Sequence, residues 1–221
     1  MADWRAHVER EESRYRDGLE RPPGDLDARQ KQLVRVANVA AGAGLASLME
    51  GRREEAREWF LRAAGHYRES LAGAPPGSWG RLIGAVKMRL LAGDRMGAIG
   101  DARWALEQGP AGAESPIGRY AAALSDLVLG ADAEAAPLAR SLQEEGEERF
   151  PRAVADALAG LAEHDRELYE DGLARTLVSF ETRDAYLEDV PVADTVLMLD
   201  ALAEARGMAV HPTSPLLPGA T

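Results

Sequence analysis

Residues 44–64, GLASLMEGRREEAREWFLRAA, constrain the fold more than any other stretch, because two helix-forming segments flank one tight turn at Gly51. The small residues Gly44 and Ala56 would allow two antiparallel helices to approach each other closely. The apolar residues on the two sides of the turn are Leu45, Leu48, Phe60 and Leu61. The stretch therefore predicts a helical hairpin.

The spacing within this hairpin resembles that of tetratricopeptide repeats. In those repeats a glycine on the first helix is followed by an alanine, a large apolar residue and a second alanine at fixed distances. The residues at these positions are Gly44, Ala56, Phe60 and Ala63. Two later segments follow the pattern in part, with Ala98, Ala102 and Ala105 in one and Ala135, Ala139 and Leu142 in the other. Val86 stands where the second segment would have its glycine, so that match is partial.

These patterns predict an all-α, tetratricopeptide-like α-solenoid of antiparallel helical hairpins with about ten helices. We expect a single helical-repeat domain over residues 1–221. It would comprise an N-terminal capping helix (1–21), four hairpins (25–72, 78–110, 114–145 and 150–183), a C-terminal helix (190–207) and an extended tail (208–221) folded back over that helix.

Individual residues predict details of this fold. The N-terminal helix is expected to bury a stripe formed by Trp4, Val8, Tyr15 and Leu19. Asp25 or Asp27 would cap the long helix after it, and Ser78 would cap the helix that ends near Leu91. Pro191 would start the last helix, and Gly207 would end it.

Composition limits the compartment and the chemistry. The chain has no cysteine, which excludes disulfides, thiolate nucleophiles and cysteine metal ligands and permits a reducing cytosol. The charged N-terminus has no apolar signal region. We expect no later run to approach the ~18–20 apolar residues that a membrane span needs. The chain is therefore expected to be soluble and cytoplasmic, with no membrane interaction.

The net charge of -11 is distributed unevenly. Residues 22–130 contain 14 Lys+Arg and 12 Asp+Glu, whereas residues 131–171 contain 4 Arg and 12 Asp+Glu. The phosphates of nucleic acid would be repelled by the second half, whereas a basic protein would be attracted. The alternative is that these acids only solvate the outer helix faces.

No residue pattern indicates catalysis or a bound cofactor. The four histidines, His7, His66, His164 and His211, lack the spacing of a metal site. His164 alone is flanked by acids, and we interpret it as a helix terminus, with Asp165 capping the next helix. A hydrolase or metal enzyme is therefore disfavoured, unless Glu163, His164 and a further carboxylate converge in a pocket. We expect no enzyme activity, no metal and no cofactor.

The densest run of acids is Glu144, Glu145, Glu147 and Glu148. It lacks the alternating ligands and placed glycine of a calcium loop, and we interpret it as a solvated loop between helices. Its carboxylates are the candidate partner-binding residues.

The C-terminal part of the chain resembles the immunity protein 49 family. The resemblance covers residues 150–218 and includes Phe150-Pro151-Arg152-Ala153 and the segment ALAGLAEHD after it. Its most distinctive parts are Ala201-Leu202-Ala203, Arg206-Gly207 and Ser214-Pro215-Leu216-Leu217-Pro218. Members of that family are helical-repeat proteins encoded beside toxins of bacterial polymorphic toxin systems, and they supply no catalytic residues to carry over.

The resemblance implies a protein that neutralises a cognate toxin by stoichiometric binding. The charge pattern is compatible with a basic toxin as the partner. The alternative is a general tetratricopeptide-like scaffold or adaptor that binds a peptide or protein in its groove, with no toxin involved. The oligomeric state stays open.

Overall fold

The structure, a computed structural model, describes residues 3–20 and 22–219. The predicted N-terminal helix and C-terminal tail also include residues 1, 2, 21, 220 and 221, which lie outside the described residues. Within the described ranges the chain forms ten α-helices and no strand. The helices are α1 (Trp4–Glu20), α2 (Leu26–Met49), α3 (Arg53–Ser70), α4 (Gly80–Leu91), α5 (Arg95–Glu107), α6 (Pro116–Leu129), α7 (Asp132–Gln143), α8 (Arg152–Glu163), α9 (Arg166–Glu181) and α10 (Asp194–Glu204). The predicted all-α class and helix number are confirmed.

The chain divides into two compact units. Unit 1 contains residues 1–94, 183–192 and 213–221, and unit 2 contains residues 95–182 and 193–212. Within each unit, helices that follow one another in sequence pack side by side as in an α-solenoid. The division falls at Asp94, in the turn of the predicted second hairpin.

The α2–α3 hairpin of unit 1 has the predicted packing. Gly51 makes the turn with a φ of 83°, a conformation that favours glycine. A Cβ added to Gly44 would lie 2.6 Å from Cδ1 of Phe60, so the two helices approach as closely as the small residue permits. Ala56, Phe60 and Ala63 are all buried. Asp25 caps α2 by accepting a hydrogen bond from the backbone of Ala28 at 2.8 Å.

The buried face of α1 differs from the predicted stripe. Val8 is buried, but Leu19 is 46% exposed and Glu11 is completely buried. Arg10 and Arg14 pair with the Glu11 carboxylate at 2.6 and 2.8 Å, which makes its burial tolerable. Arg14 also pairs with Glu188, whose segment returns to unit 1 from far along the chain. The predicted stripe is therefore wrong at Leu19. It also omits Glu11, whose burial depends on arginine partners that the apolar pattern does not reveal.

Two predicted helix starts are wrong. Ser78 does not cap α4, because its hydroxyl donates to the carbonyl of Pro75 at 2.7 Å and the helix begins at Gly80. The last helix begins at Asp194 and not at Pro191. There the N–H of Val192 donates to the carbonyl of Val190 in a tight turn, at 2.8 Å, which delays the first helical turn.

Helix α2 is long and apolar enough to cross a membrane by length and composition, and it is the one such helix within the described ranges. This differs from the expectation that no apolar run would be long enough. In the structure, 61% of its 18-residue apolar window is buried, and the helix packs against α1 and α3. The apolar residues of α2 therefore form part of the buried core of unit 1.

Unit 2 stacks α5 to α9 in chain order, and α10 contacts both α8 and α9. Of the predicted tail, residues 208–212 belong to unit 2 with α10, and Val210 and His211 contact that helix, whereas residues from 213 onward belong to unit 1. Asp200 of α10 accepts hydrogen bonds from the backbone N–H groups of Val210, at 2.9 Å, and His211. The hydroxyl of the buried Tyr169 in α9 donates to the same carboxylate at 3.3 Å.

Candidate partner-binding surface

The acidic run lies in the loop that joins α7 to α8 in unit 2, and its four carboxylates have different surroundings. Glu145 pairs with Arg119 and, at 2.5 Å, with Arg149, and its side chain is only 9% exposed. Glu147 accepts a hydrogen bond from the backbone N–H of Arg152 at 3.0 Å, at the start of α8. These two carboxylates are therefore engaged inside the unit and hold the loop in place.

Glu144 and Glu148 are exposed. Neither forms an ion pair with any residue that the structure describes. They are the two members of the predicted set that have neither an ion pair nor a side-chain hydrogen bond with a described residue. Sequence position alone could not separate them from Glu145 and Glu147, because all four lie within five consecutive residues.

Beside this loop, the buried carboxylate of Asp156 joins three helices. It accepts hydrogen bonds from Gln143 of α7 at 2.6 Å, from Arg152 of α8 at 2.8 Å and from Arg175 of α9 at 2.6 Å. Burial alone would raise the pKa of Asp156, but these three donors outweigh burial and hold its pKa below the ordinary value. Hydrogen bonds and ion pairs of Asp156 therefore connect the two helix ends that flank the loop.

This network was not among the features predicted from the sequence. Arg152 and Asp156 are four residues apart, the spacing of an ion pair on one face of a helix. That spacing is a signal from which this one pair could have been predicted. Nothing in the sequence links Arg175 or Gln143 to them, because both belong to other helices.

His164 occupies the predicted helix terminus. It ends α8 with a φ of 55°, and Asp165 then caps α9 by accepting from the backbone of Leu168 at 3.1 Å. The Nε2 atom of His164 lies 3.0 Å from the carboxylate of Asp132, which also pairs with Arg206. Glu163 pairs instead with Arg140 at 2.5 Å. The arrangement is a set of arginine–carboxylate ion pairs and one histidine–carboxylate contact at helix ends.

The carboxylate that lies beside His164 is that of Asp132, and it pairs with Arg206. Glu163 pairs with Arg140 instead of facing His164 and Asp132 as a third member of a catalytic site would. Among residues 3–20 and 22–219, no group of three or more His, Asp or Glu side chains is placed to hold a metal ion.

The whole net charge of the protein resides in unit 2. Its residues include 20 Asp+Glu and 9 Arg, whereas unit 1 has 17 of each sign. Seven of the nine arginines pair with carboxylates of the same unit. Seven exposed glutamates have neither an ion pair nor a side-chain hydrogen bond with a described residue: Glu107, Glu114, Glu134, Glu144, Glu148, Glu167 and Glu204. The available charge of unit 2 is therefore strongly negative.

Comparison of the chain with family models, with curated proteins and with solved structures found no match.

Proposed function

We propose that the chain is a non-enzymatic protein-binding protein whose unit 2 binds a basic protein partner. We further propose that it acts as an immunity protein, which neutralises a cognate toxin by stoichiometric occlusion. The observation that supports this proposal is the concentration of all net charge in unit 2, where most arginines already pair with carboxylates. The resemblance of residues 150–218 to the immunity protein 49 family points to the toxin as the partner.

The physical basis is electrostatic steering. A surface of one sign attracts a partner of the opposite sign and raises the association rate by about 10–10³-fold at low salt. Glu144 and Glu148 contribute to this field from a loop whose flanking helix ends are connected through Asp156. A loop that is ordered before binding loses less conformational entropy when it binds. An anionic inhibitor of this kind would cover the cationic surface with which a basic toxin binds its own target.

The test isolates the partner and then measures how binding depends on charge. The tagged protein is used to purify partners from lysate of its source, and a recovered partner is then produced separately. A test variant neutralises four unpaired exposed acids of unit 2, namely Glu134→Gln, Glu144→Gln, Glu148→Gln and Glu167→Gln. A control variant makes the same charge change in unit 1, namely Asp17→Asn, Glu20→Gln, Glu54→Gln and Asp184→Asn. Association rates are measured at low and high ionic strength.

We expect one basic partner, a one-to-one complex by light scattering, and an association rate that falls with salt. The unit 2 variant should associate at least about tenfold more slowly at low salt, while the control remains close to the wild type. Loss of the partner's toxicity on co-expression would establish the immunity role. Several unrelated partners, or one indifferent to the unit 2 substitutions, would instead favour a general scaffold that binds through its groove.

A further inference from the structure

Unit 1 contains a solvent-open cavity of about 380 Å³ that the proposed partner-binding surface does not use. Val34 and Asn38 of α2, Tyr67 of α3, Ser78, Gly80 and Arg81 line it. Small-molecule sites in proteins have volumes of about 300–1,000 Å³, so this cavity is at the lower end of that range. Arg81 is the one charged residue among the lining residues.

Among the described residues, the guanidinium of Arg81 has neutral partners only. Its two Nη groups donate to the backbone carbonyl of Ser70 and to Oε1 of Gln30. The nearest acid in this network, Asp27, accepts from Gln30 at 3.0 Å and from Lys31 at 2.7 Å. Partial burial lowers the pKa of Arg81, as expected for a cation removed from water. The cavity therefore contains a positioned positive charge without a carboxylate from the described part of the chain.

Two further donors lie on the cavity wall. The hydroxyl of Tyr67 donates to Oδ1 of Asn38 at 2.6 Å, which leaves the Asn38 amide nitrogen as a donor without a partner among the described residues. Gly80 begins α4, and no described residue accepts a hydrogen bond from its backbone N–H. A Cβ added to Gly80 would meet nothing within 4 Å, so a larger side chain can be introduced at this lining position without a clash at its Cβ.

This set of groups matches one kind of ligand. A cation with neighbouring N–H donors favours an anion, and a single positive charge balances one negative charge. Val34 and the ring of Tyr67 would contact an apolar part. We propose that this cavity binds a carboxylate carried on a small apolar body, with the carboxylate at Arg81, Asn38 and Gly80.

The experiment uses the full chain and measures binding by calorimetry and by amide chemical shifts. The probe is N-acetyl-L-leucine, and its neutral control is N-acetyl-L-leucinamide. 4-Methylvalerate has the same carboxylate and branched chain without the amide and separates a free acid from a peptide C-terminus. The variants are Arg81→Gln, which removes the charge, and Gly80→Leu, which fills the open space and keeps Arg81. Arg35→Gln is the matched control, an exposed arginine of α2 outside the lining.

We expect N-acetyl-L-leucine to bind at least tenfold more tightly than its amide. Arg81→Gln and Gly80→Leu should each weaken that binding at least tenfold, while Arg35→Gln leaves it unchanged. Equal binding of 4-methylvalerate would identify a free acid as the ligand class, and much weaker binding would identify a peptide terminus. The proposal is overturned if the amide binds as well as the acid, if folded Gly80→Leu binds normally, or if the probe does not shift the amides of Gly80 and Arg81.

Discussion

Gly160 of α8 lies directly against the backbone of Tyr169 in α9. A Cβ added to Gly160 would be 2.7 Å from the Cα of Tyr169. Gly172 of α9 has the reciprocal relationship, because a Cβ there would be 2.8 Å from the carbonyl oxygen of Ala153 in α8. The two helices of this hairpin therefore touch through backbone on both sides.

Gly160→Ala and Gly172→Ala should each destabilise the protein. Backbone cannot move aside as a flexible side chain can, so the helices must separate, and the expected loss is about 1–3 kcal/mol. Gly100→Ala in α5 is the matched control, since a Cβ there meets nothing within 4 Å. It should stabilise by about 0.5–1 kcal/mol through helix propensity. Urea unfolding measures all three, and equal effects would refute the close contact.

Asp126→Asn should raise the stability of the protein near pH 7. Burial, together with the charge of Glu134, raises the pKa of Asp126 to about 6 from an ordinary 3.8. The protonated form is thus favoured in the folded state, and the stability it contributes below pH 3.8 is lost as the pH rises through 6. The full displacement of the pKa would correspond to about 3 kcal/mol. Solvent screening reduces this, so we expect a gain on the order of 1 kcal/mol.

The free energy of unfolding of both proteins is measured from about pH 4 to about pH 7, a range that spans the raised pKa of Asp126. The wild type should lose stability over this range relative to Asp126→Asn. Glu134→Gln should have a smaller effect of the same sign, because the Glu134 charge is the secondary cause of the raised pKa. Parallel pH curves for the wild type and Asp126→Asn would contradict the assignment.

Arg206→Ala should destabilise unit 2 strongly. The Arg206 side chain is 6% exposed and pairs with Asp132. It also donates to the carbonyls of Leu127 at 2.8 Å and Leu202 at 2.9 Å. Its removal leaves a carboxylate and two carbonyls without these donors, at an expected cost of about 3–5 kcal/mol.

Arg103→Ala is the control for Arg206. Arg103 is an exposed arginine of the same unit, and its removal should change stability by less than about 0.5 kcal/mol. Thermal melts of both variants provide the comparison. A similar melting temperature for Arg206→Ala and the wild type would show that the Arg206 network contributes little.

Glu145→Gln and Glu144→Gln should differ although the residues are adjacent. Glu145 pairs with Arg119 and Arg149, and the buried Nε atom of Arg119 already has no hydrogen-bond partner among the described residues. Loss of the Glu145 charge should cost about 2 kcal/mol, since hydrogen bonds to charged groups contribute about 1.5–3 kcal/mol. Glu144→Gln removes an exposed charge and should leave stability within about 0.5 kcal/mol. Chemical denaturation distinguishes them, and matching losses would contradict the assigned roles.

Local features of the chain predicted much of the fold because helix formation and termination depend on nearby residues. The spacing of Gly44, Ala56 and Phe60 predicted the first hairpin, and the cap at Asp25 follows from its own side chain. The predicted cap at Ser78 was wrong because the hydroxyl had two possible local partners. It donates to the carbonyl of Pro75 and does not accept from the backbone of α4.

The candidate site was predictable only as a run of charge. The sequence located Glu144, Glu145, Glu147 and Glu148 in a loop, but it could not show that two of them are engaged within the unit. Arg119, which pairs with Glu145, lies 26 positions away in the chain. Contacts at such separations depend on how the helices pack.

The sequence by itself therefore determined the all-helical class, the number of helices, the first hairpin and the excess of acid in the second half. Each of these depends on composition or on spacing within one or two helix turns. Only the tertiary structure decided that Glu11 is buried between arginines, that Gly160 and Gly172 join two backbones, and that unit 2 carries the whole net charge. These depend on which distant residues meet, and the free energy of such contacts is realised only when the packed helices exclude water from them.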